Sequence, residues 1–493
     1  MVGPEKFVPR PEIQTSRAGL LRQLGFFSAT ALVISNMVGS GIFGFTGFMA
    51  GDLGSASLIL ACWGAGALFA FCGALSYSEL AINFPRSGGE YVYLTNALGP
   101  EWGFMTGWVS FFAGFSAPIA AAALTFADYL GYFFPALKQS NAALVIGSGA
   151  FSLRLGGGQL VASSLIAAFT MLNCFGIGRA AGVQNVLTSA KLMIILGFVV
   201  LGFAFGSGSW SHFSQPAVRT STVSLPTQFI VSLLWVMVGY SGWNAATYVA
   251  EEIRRPERTL PGALAAGTAL VAALYIVLNL VFIYATPLER MKGEIAIGSL
   301  SSTCLFGASV SGLFSLLMAI SIAATVNAEV TIGPRVYYAM AKNGAFFSAA
   351  AAVHPRWHTP VAAILGQGLC AIVMTLTPFP QLITYIGMSL TLFTVLSVVS
   401  LFVFRRKRAG WQKLRAVDFG YPLVPASYVL VGTCMIFYGV ISQPKASLTA
   451  LCTGVVGALV YRLWKRSHPP DDGEGNRRTK AKSEPGQHIQ DRT

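Results

Sequence analysis

Ser35-Asn36-Met37-Val38-Gly39-Ser40-Gly41-Ile42-Phe43-Gly44 sits in the middle of an apolar run from about Leu24 to Ala50, long enough to cross a bilayer. Three glycines fall close together there, with a serine and an asparagine beside them. Lipid offers no hydrogen bonds, so a spanning segment must satisfy its own backbone. Each glycine weakens a helix by about 1 kcal/mol relative to alanine and lets the chain leave helical dihedrals. A break is tolerable only where the freed N–H and C=O groups face protein or a wet cavity. It gives two half-helices with bare ends, and a bare N-terminal end attracts an anion such as a carboxylate. Close packing against a neighbouring helix is the other use of such glycines.

A second stretch separates these readings. The span from Phe229 to Glu252 carries Val238-Gly239-Tyr240-Ser241-Gly242-Trp243-Asn244 at its middle. Interrupted helices at corresponding places in two halves of a membrane chain point to inverted repeats around a transport site. The first break lies in the first span and the second in the sixth. The expected fold is therefore all-α, with a five-plus-five inverted repeat.

Composition agrees with the membrane. Of 493 residues, 54% are hydrophobic and only 11% charged, against about 25% charged in soluble domains. Apolar windows of about 20 residues give twelve spans, near 24–50, 55–81, 101–130, 159–177, 183–206, 227–251, 263–286, 301–327, 360–377, 381–404, 421–441 and 446–464. The expected division is a cytoplasmic N-terminal tail at 1–22, a transmembrane domain at 23–466 and a disordered cytoplasmic tail at 467–493. Met1 to Arg22 is polar and basic and lacks a cleavable apolar core, so the first span serves as its own insertion signal. The seven cysteines show no paired or metal spacing and read as small buried hydrophobes.

The net charge of +14 is explained by its placement. With the N-terminus inside, the outer loops hold only Lys138, Arg154, Arg219, Arg290, Lys292 and Lys445. The inner loops hold Arg254, Arg255, Arg258 and the run Arg405-Arg406-Lys407-Arg408. That asymmetry puts both termini in the cytoplasm of a cell whose plasma (inner) membrane the chain crosses. The excess is topological, and nucleic acid is not expected as a partner. The Ser87-Gly88-Gly89 run is not a phosphate loop, because no Gly-Lys-Ser/Thr follows. No metal cluster or nucleophile triad is present, so neither enzyme activity nor a cofactor is expected.

The motifs resemble the amino acid–polyamine–organocation (APC) superfamily. They are Gly39-Ser40-Gly41-Ile42-Phe43, Tyr77-Ser78-Glu79-Leu80, Pro85 to Leu94, Val183-Gln184-Asn185 with Lys191, Gly239 to Asn244, Glu251-Glu252, Arg255 to Pro261, Asn327 and Gly333-Pro334-Arg335. The pattern covers about the first ten spans and is most similar to the L-type amino acid transporter branch and its bacterial relatives. The fold that it implies is the repeat above plus two further helices.

The resemblance implies that backbone N–H groups of Ser40, Gly41 and Ile42 hold a substrate carboxylate, as the physics of a half-helix N-terminus also suggests. The amine would meet carbonyls at half-helix C-terminal ends, chosen here as Met37, Val238 and Gly239. Pocket walls are expected from Val238, Tyr240 and Trp243. L-type relatives often carry a bulky aromatic at the Val238 position, so a valine leaves more room. Intramembrane Lys191 is a functional candidate by default. The resemblance places its ammonium where sodium-coupled relatives bind sodium, which implies sodium independence. A desolvated lysine could also couple transport to protons, and a snorkelling lysine is the alternative. Glu329 is either a protonatable partner of Lys191 or an ion-pair partner of Arg335. Glu79 is expected to cap or to pair with the following loop, and Glu251 and Glu252 to form a salt-bridged inner gate.

These readings imply an amino acid transporter working by alternating access, as a proton symporter or an exchanger. An amine or polyamine carrier of the same fold is one alternative, and a non-transporting substrate sensor is another. Subunit-linked L-type relatives carry a cysteine in the outer loop after the third span. Gly131 to Gly158 has none, so no disulfide-linked glycoprotein subunit is expected.

Overall fold

A computed structural model describes residues 20–138, 141–146, 153–294, 297–442 and 444–467. The tails expected at 1–22 and 467–493 lie almost wholly outside the described residues. The first span is broken as its glycines require. Helix α1 (Phe26–Met37) stops at Val38, and α2 (Ser40–Leu53) begins after Gly39, which is extended at φ −124° and ψ −153°. Next come α3 (Ala56–Asn83) and the short α4 (Glu90–Leu98). The third span runs through α5 (Pro100–Val109), a π-helical stretch at Ser110–Ser116 and α6 (Ala117–Leu130). After α7 (Gly157–Cys174) and α8 (Ile177–Phe205), the sixth span breaks between α9 (Leu225–Tyr240) and a 3₁₀ segment at Ala245–Glu252. The remaining helices of nine residues or more are α10 (Pro256–Ala285), the short α11 (Ile297–Phe306), α12 (Ala308–Ile332), α13 (Pro334–Lys342), α14 (Val361–Met374), α15 (Phe379–Lys407), α16 (Leu423–Ser442) and α17 (Pro444–Ser467).

Every expected span coincides with a helix, but among the described residues only 11 helices are long and apolar enough to cross a membrane. The exception is α14. Its 14 residues reach about 21 Å at 1.5 Å per residue, less than the ~30 Å hydrocarbon thickness. The window 360–377 ran on past Met374 into Thr375, Leu376 and Thr377, which form a turn and not helix.

Packing follows the repeat. Helix α2 packs on α9, α3 along α10 and α6 along α12, so each pairing joins a span to the one five places later. The short helices α4 and α11 occupy equivalent places, between the second and third spans and between the seventh and eighth. Helix α8 shows how sequence sets the faces. Val186, Met193, Leu196 and Val200 point outward, while Gln184, Thr188, Lys191 and Ile195 are buried at helical spacing.

The two breaks are packed against each other, which is what the glycines permit. A Cβ on Gly41 would stand 2.8 Å from the Cα of Gly239, and a Cβ on Gly242 would stand 2.8 Å from the backbone carbon of Asn36. Gly242 also has φ +99°, a conformation that side-chain-bearing residues rarely adopt. Gly242→Ala should therefore strain both the turn and the α1 end, by about 1–3 kcal/mol. In contrast Gly182, inside α8 with nothing within 4 Å of its would-be Cβ, should tolerate alanine or gain stability. Thermal unfolding of the detergent-purified variants checks this, and equal melting curves for the two would refute the tight contact.

Candidate functional site

The last carbonyls of α1 have no helical partner, and other spans supply donors for them. Lys191 of α8 is fully buried, and its Nζ donates to Val38 O at 2.6 Å, to Ser35 O at 3.3 Å and to Thr325 Oγ1 at 2.9 Å. Thr325 of α12 donates in turn to Val38 O at 2.8 Å. The ammonium thus caps the negative end of a half-helix, where a cation is favoured. The side chain does not snorkel, because its tip ends on backbone between α1 and α12.

Beyond Lys191 a polar network ties four helices together. Ser35 and Thr188 share a hydroxyl contact of 2.8 Å, and Gln184 Nε2 donates to Thr188 Oγ1 at 3.1 Å. Asn327 Nδ2 donates to Gln184 Oε1 at 2.7 Å, and Asn173 Nδ2 donates to Asn327 Oδ1 at 3.1 Å. Thr331 donates to Asn173 Oδ1 at 2.8 Å. Gln184 and Asn327 were visible in the sequence as motif residues, whereas Asn173 and Thr331 had no signal.

The carbonyls chosen for a substrate amine are partly occupied. The Tyr275 hydroxyl of α10 lies 2.6 Å from Met37 O and 3.0 Å from Gly239 O, and Val238 O accepts from Ser241 N at 3.1 Å. One hydroxyl proton cannot serve both Met37 and Gly239, and each carbonyl has two lone pairs. Acceptor capacity therefore remains at the place where the two breaks meet. The first N–H groups of α2 receive no side-chain cap.

Two neighbouring cavities open at the breaks. One is bordered by Met37, Gly39, Gly41, Val238, Gly239 and Thr325. The other has an aromatic wall of Phe69, Phe115, Trp243, Tyr248 and Tyr428. Asn36, Pro118, Ser241 and Glu329 border both. Val238 and Trp243 therefore face cavities, and Ser241, which the sequence reading passed over, stands between them. Tyr240 does not line either cavity. It is buried against Trp63 and Tyr275, and its hydroxyl donates to Trp63 O at 3.2 Å. Residues before a helical break keep helical geometry, so Tyr240 is turned into the α3–α10 seam.

The acidic residues are placed differently from their expected pairings. Arg335 of α13 pairs with Glu252 at 2.7 Å, both fully buried, so Glu329 is not its partner. No Lys191 contact to the Glu329 carboxylate falls within ion-pair distance either. Glu79 pairs with Arg405 at 2.7 Å and also accepts from Trp411 Nε1 and Leu414 N. These lie beyond the tenth span rather than in the loop after Glu79. Glu251 contributes its backbone N–H, which donates to Ser87 Oγ at 3.1 Å. Glu90, on α4, has no signal of its role in the sequence, yet its carboxylate accepts from Asn244 at 2.6 Å and from Tyr77 at 3.0 Å. That clamp holds α4 against the sixth-span break.

Comparison with known proteins agrees with this geometry. A family model described as "Amino acid permease" matches residues 24–456. The mouse large neutral amino acids transporter small subunit 2 is 27% identical over 92% of this chain and 83% of its own length. The serine/threonine exchanger SteT of Bacillus subtilis is 27% identical over 92% of this chain and 99% of its own. The mouse b(0,+)-type amino acid transporter 1 is 27% identical over 93% of this chain and 90% of its own.

The capping role of Lys191 and the pairing role of Arg335 have separable consequences. Lys191→Met takes from Ser35 O its side-chain donor and weakens the cap at Val38, at about 1–3 kcal/mol for each unmet group. Arg335→Met strands a buried carboxylate, at about 3–5 kcal/mol. Adding Glu252→Gln to Arg335→Met should recover much of that loss and recover nothing for Lys191→Met. Melting temperatures of these variants and of Glu252→Gln alone decide the matter, and additive losses for the Arg335 and Glu252 changes would refute their coupling.

Proposed function

The chain belongs to the amino acid permease family, and we propose from that premise that it is a sodium-independent secondary transporter carrying amino acids by alternating access. One observation carries the reading: two interrupted helices meet break to break at a cavity edged by Met37, Gly39, Gly41, Val238 and Gly239. A free amino acid is recognised there through the groups common to all of them. The carboxylate takes the N–H groups of Ser40, Gly41 and Ile42 at the positive end of α2. The amine takes the remaining lone pairs of Met37, Val238 and Gly239, and completes the donor set that Tyr275 leaves short. Val238 and Trp243 form walls for the side chain.

Sodium independence rests on Lys191, whose ammonium already sits between α1 and α12 and caps the carbonyls there. Coupling is by protons or by exchange of one amino acid for another, with Lys191 and Glu329 as the groups that would serve it. Both termini are cytoplasmic, from the basic residues of the inner loops. The absence of cysteine from the loop between Gly131 and Gly158 supports a carrier with no disulfide-linked glycoprotein subunit. Family membership makes the protein a carrier rather than an enzyme.

Uptake into proteoliposomes tests this reading with labelled amino acids and amines, in sodium or choline buffer, with and without internal substrate or an inward pH gradient. Amino acid uptake is expected to be equal in the two buffers. Uptake that requires internal substrate establishes exchange, and uptake that requires the pH gradient establishes proton symport. Movement of carboxylate-free amines alone would rule out the cradle at Ser40 to Ile42, and binding without uptake would make the protein a sensor.

A further inference from the structure

Glu329 is the one buried glutamate whose side chain the fold leaves unanswered among the described residues. Glu79 meets Arg405, Trp411 and a backbone N–H, Glu252 meets Arg335, and Glu90 meets Asn244 and Tyr77. Glu329 is only 8% exposed, and its Oε2 is buried with no hydrogen-bond partner. The two cations nearest to it in the fold, on α8 and α13, are committed elsewhere, Lys191 to the end of α1 and Arg335 to Glu252. An ionisable group inside a membrane protein is retained at a cost and marks a pathway or a ligand.

Its position says which ligand. Glu329 lies one turn beyond Thr325 and borders both cavities, beside Asn36 and Ser241. An amino acid held by its carboxylate and amine in the first cavity must extend its side chain past Glu329 toward the aromatic one. We propose that Glu329 is a specificity-determining residue that pairs with a positive charge on the substrate's side chain, so that the protein carries amino acids with long cationic side chains, of the lysine, ornithine and arginine kind. This rests on the amino acid transport reading above. The methylene stem passes the cavity edge near Val238, which is small enough to leave it room. The cationic end meets the free carboxylate oxygen, and the rings of Trp243 and Tyr428 lie in the same cavity for cation–π contact. A site with an unmet buried charge discriminates strongly against an analogue that cannot meet it.

The chain in proteoliposomes tests this with lysine, norleucine, leucine and cadaverine. Norleucine keeps the length of lysine without its charge, and cadaverine keeps the charges without the carboxylate. Wild-type protein should prefer lysine to norleucine by about tenfold or more in kcat/KM, a 1.4 kcal/mol difference for each factor of ten. E329Q should collapse that ratio toward one, and E329D should restore part of it, which a purely structural role for the carboxylate would not do. Each variant is used only with a leucine- or norleucine-induced rise in melting temperature, which shows a folded site. Norleucine carried as well as lysine by the wild type, or an E329Q ratio equal to the wild-type ratio, overturns the proposal and leaves amino acid transport standing. E329Q that alters only the pH dependence of uptake, with the ratio intact, makes Glu329 a proton carrier and also overturns it. Uptake of cadaverine with no amino acid moved overturns the transport reading itself, and this inference with it.

Discussion

The backbone at two broken helices must be hydrogen-bonded in a place where lipid supplies nothing, and most of the buried polar chemistry answers that demand. At the end of α1 the donors come from three other spans: Lys191 from α8, Tyr275 from α10 and Thr325 from α12. These contacts hold α1 in register with the rest of the bundle more firmly than apolar packing could, because each lost donor exposes a buried carbonyl. A charged donor suits the position, since the C-terminal end of a helix carries partial negative charge.

The start of α2 is built the opposite way. Gly39 has no side chain with which to cap the helix. The protein has thus closed the negative end of the break with its own groups and left the positive end bare. On the proposed reading this asymmetry favours an anion at the start of α2, and Gly41 and Gly239, which carry no side chains, let the two backbones approach closely enough to share one small ligand. Tyr275 adds a further condition by placing one proton between two carbonyls.

Local chemistry made much of this legible in the sequence. Glycine clusters inside apolar spans revealed both breaks, and a lone lysine in the fifth span drew attention because it is expensive there. The asymmetry of arginine and lysine between loops set the expected orientation. Pairings between distant parts of the chain had no such signature. Nothing near Glu79 announces Arg405, and nothing near Glu252 announces Arg335, because the helices that bring them together are placed by packing across the repeat. Tyr240 was assigned to the cavity since it sits in the broken stretch. The helix continues through it, however, and the direction of a side chain depends on where helical geometry stops. The short α14 was overestimated for a related reason, as a hydropathy window averages over about 20 residues and does not register where the helix stops.

The same interactions indicate which parts of the bundle can move. At one end the chain before α1 is strapped to the end of the sixth span, where Leu24 N donates to Glu252 O and Arg254 N to Leu24 O. Glu252 carries the buried pair with Arg335 as well. Nearer the centre, Glu90 ties α4 to Asn244. Opening this end requires the strap, the ion pair and the clamp to separate together, and they lie on α4, α13 and the sixth span. The Lys191 and Thr325 contacts lie on the other side of the α1 end and need not break, provided that α1, α8 and α12 move as one body. The alternating access proposed above, as a rocking motion about the two breaks, would satisfy both conditions, because the glycines there supply close contact without side chains to interlock. The fold therefore divides its polar contacts into a set that keeps the site assembled and a set that must be undone to reach it.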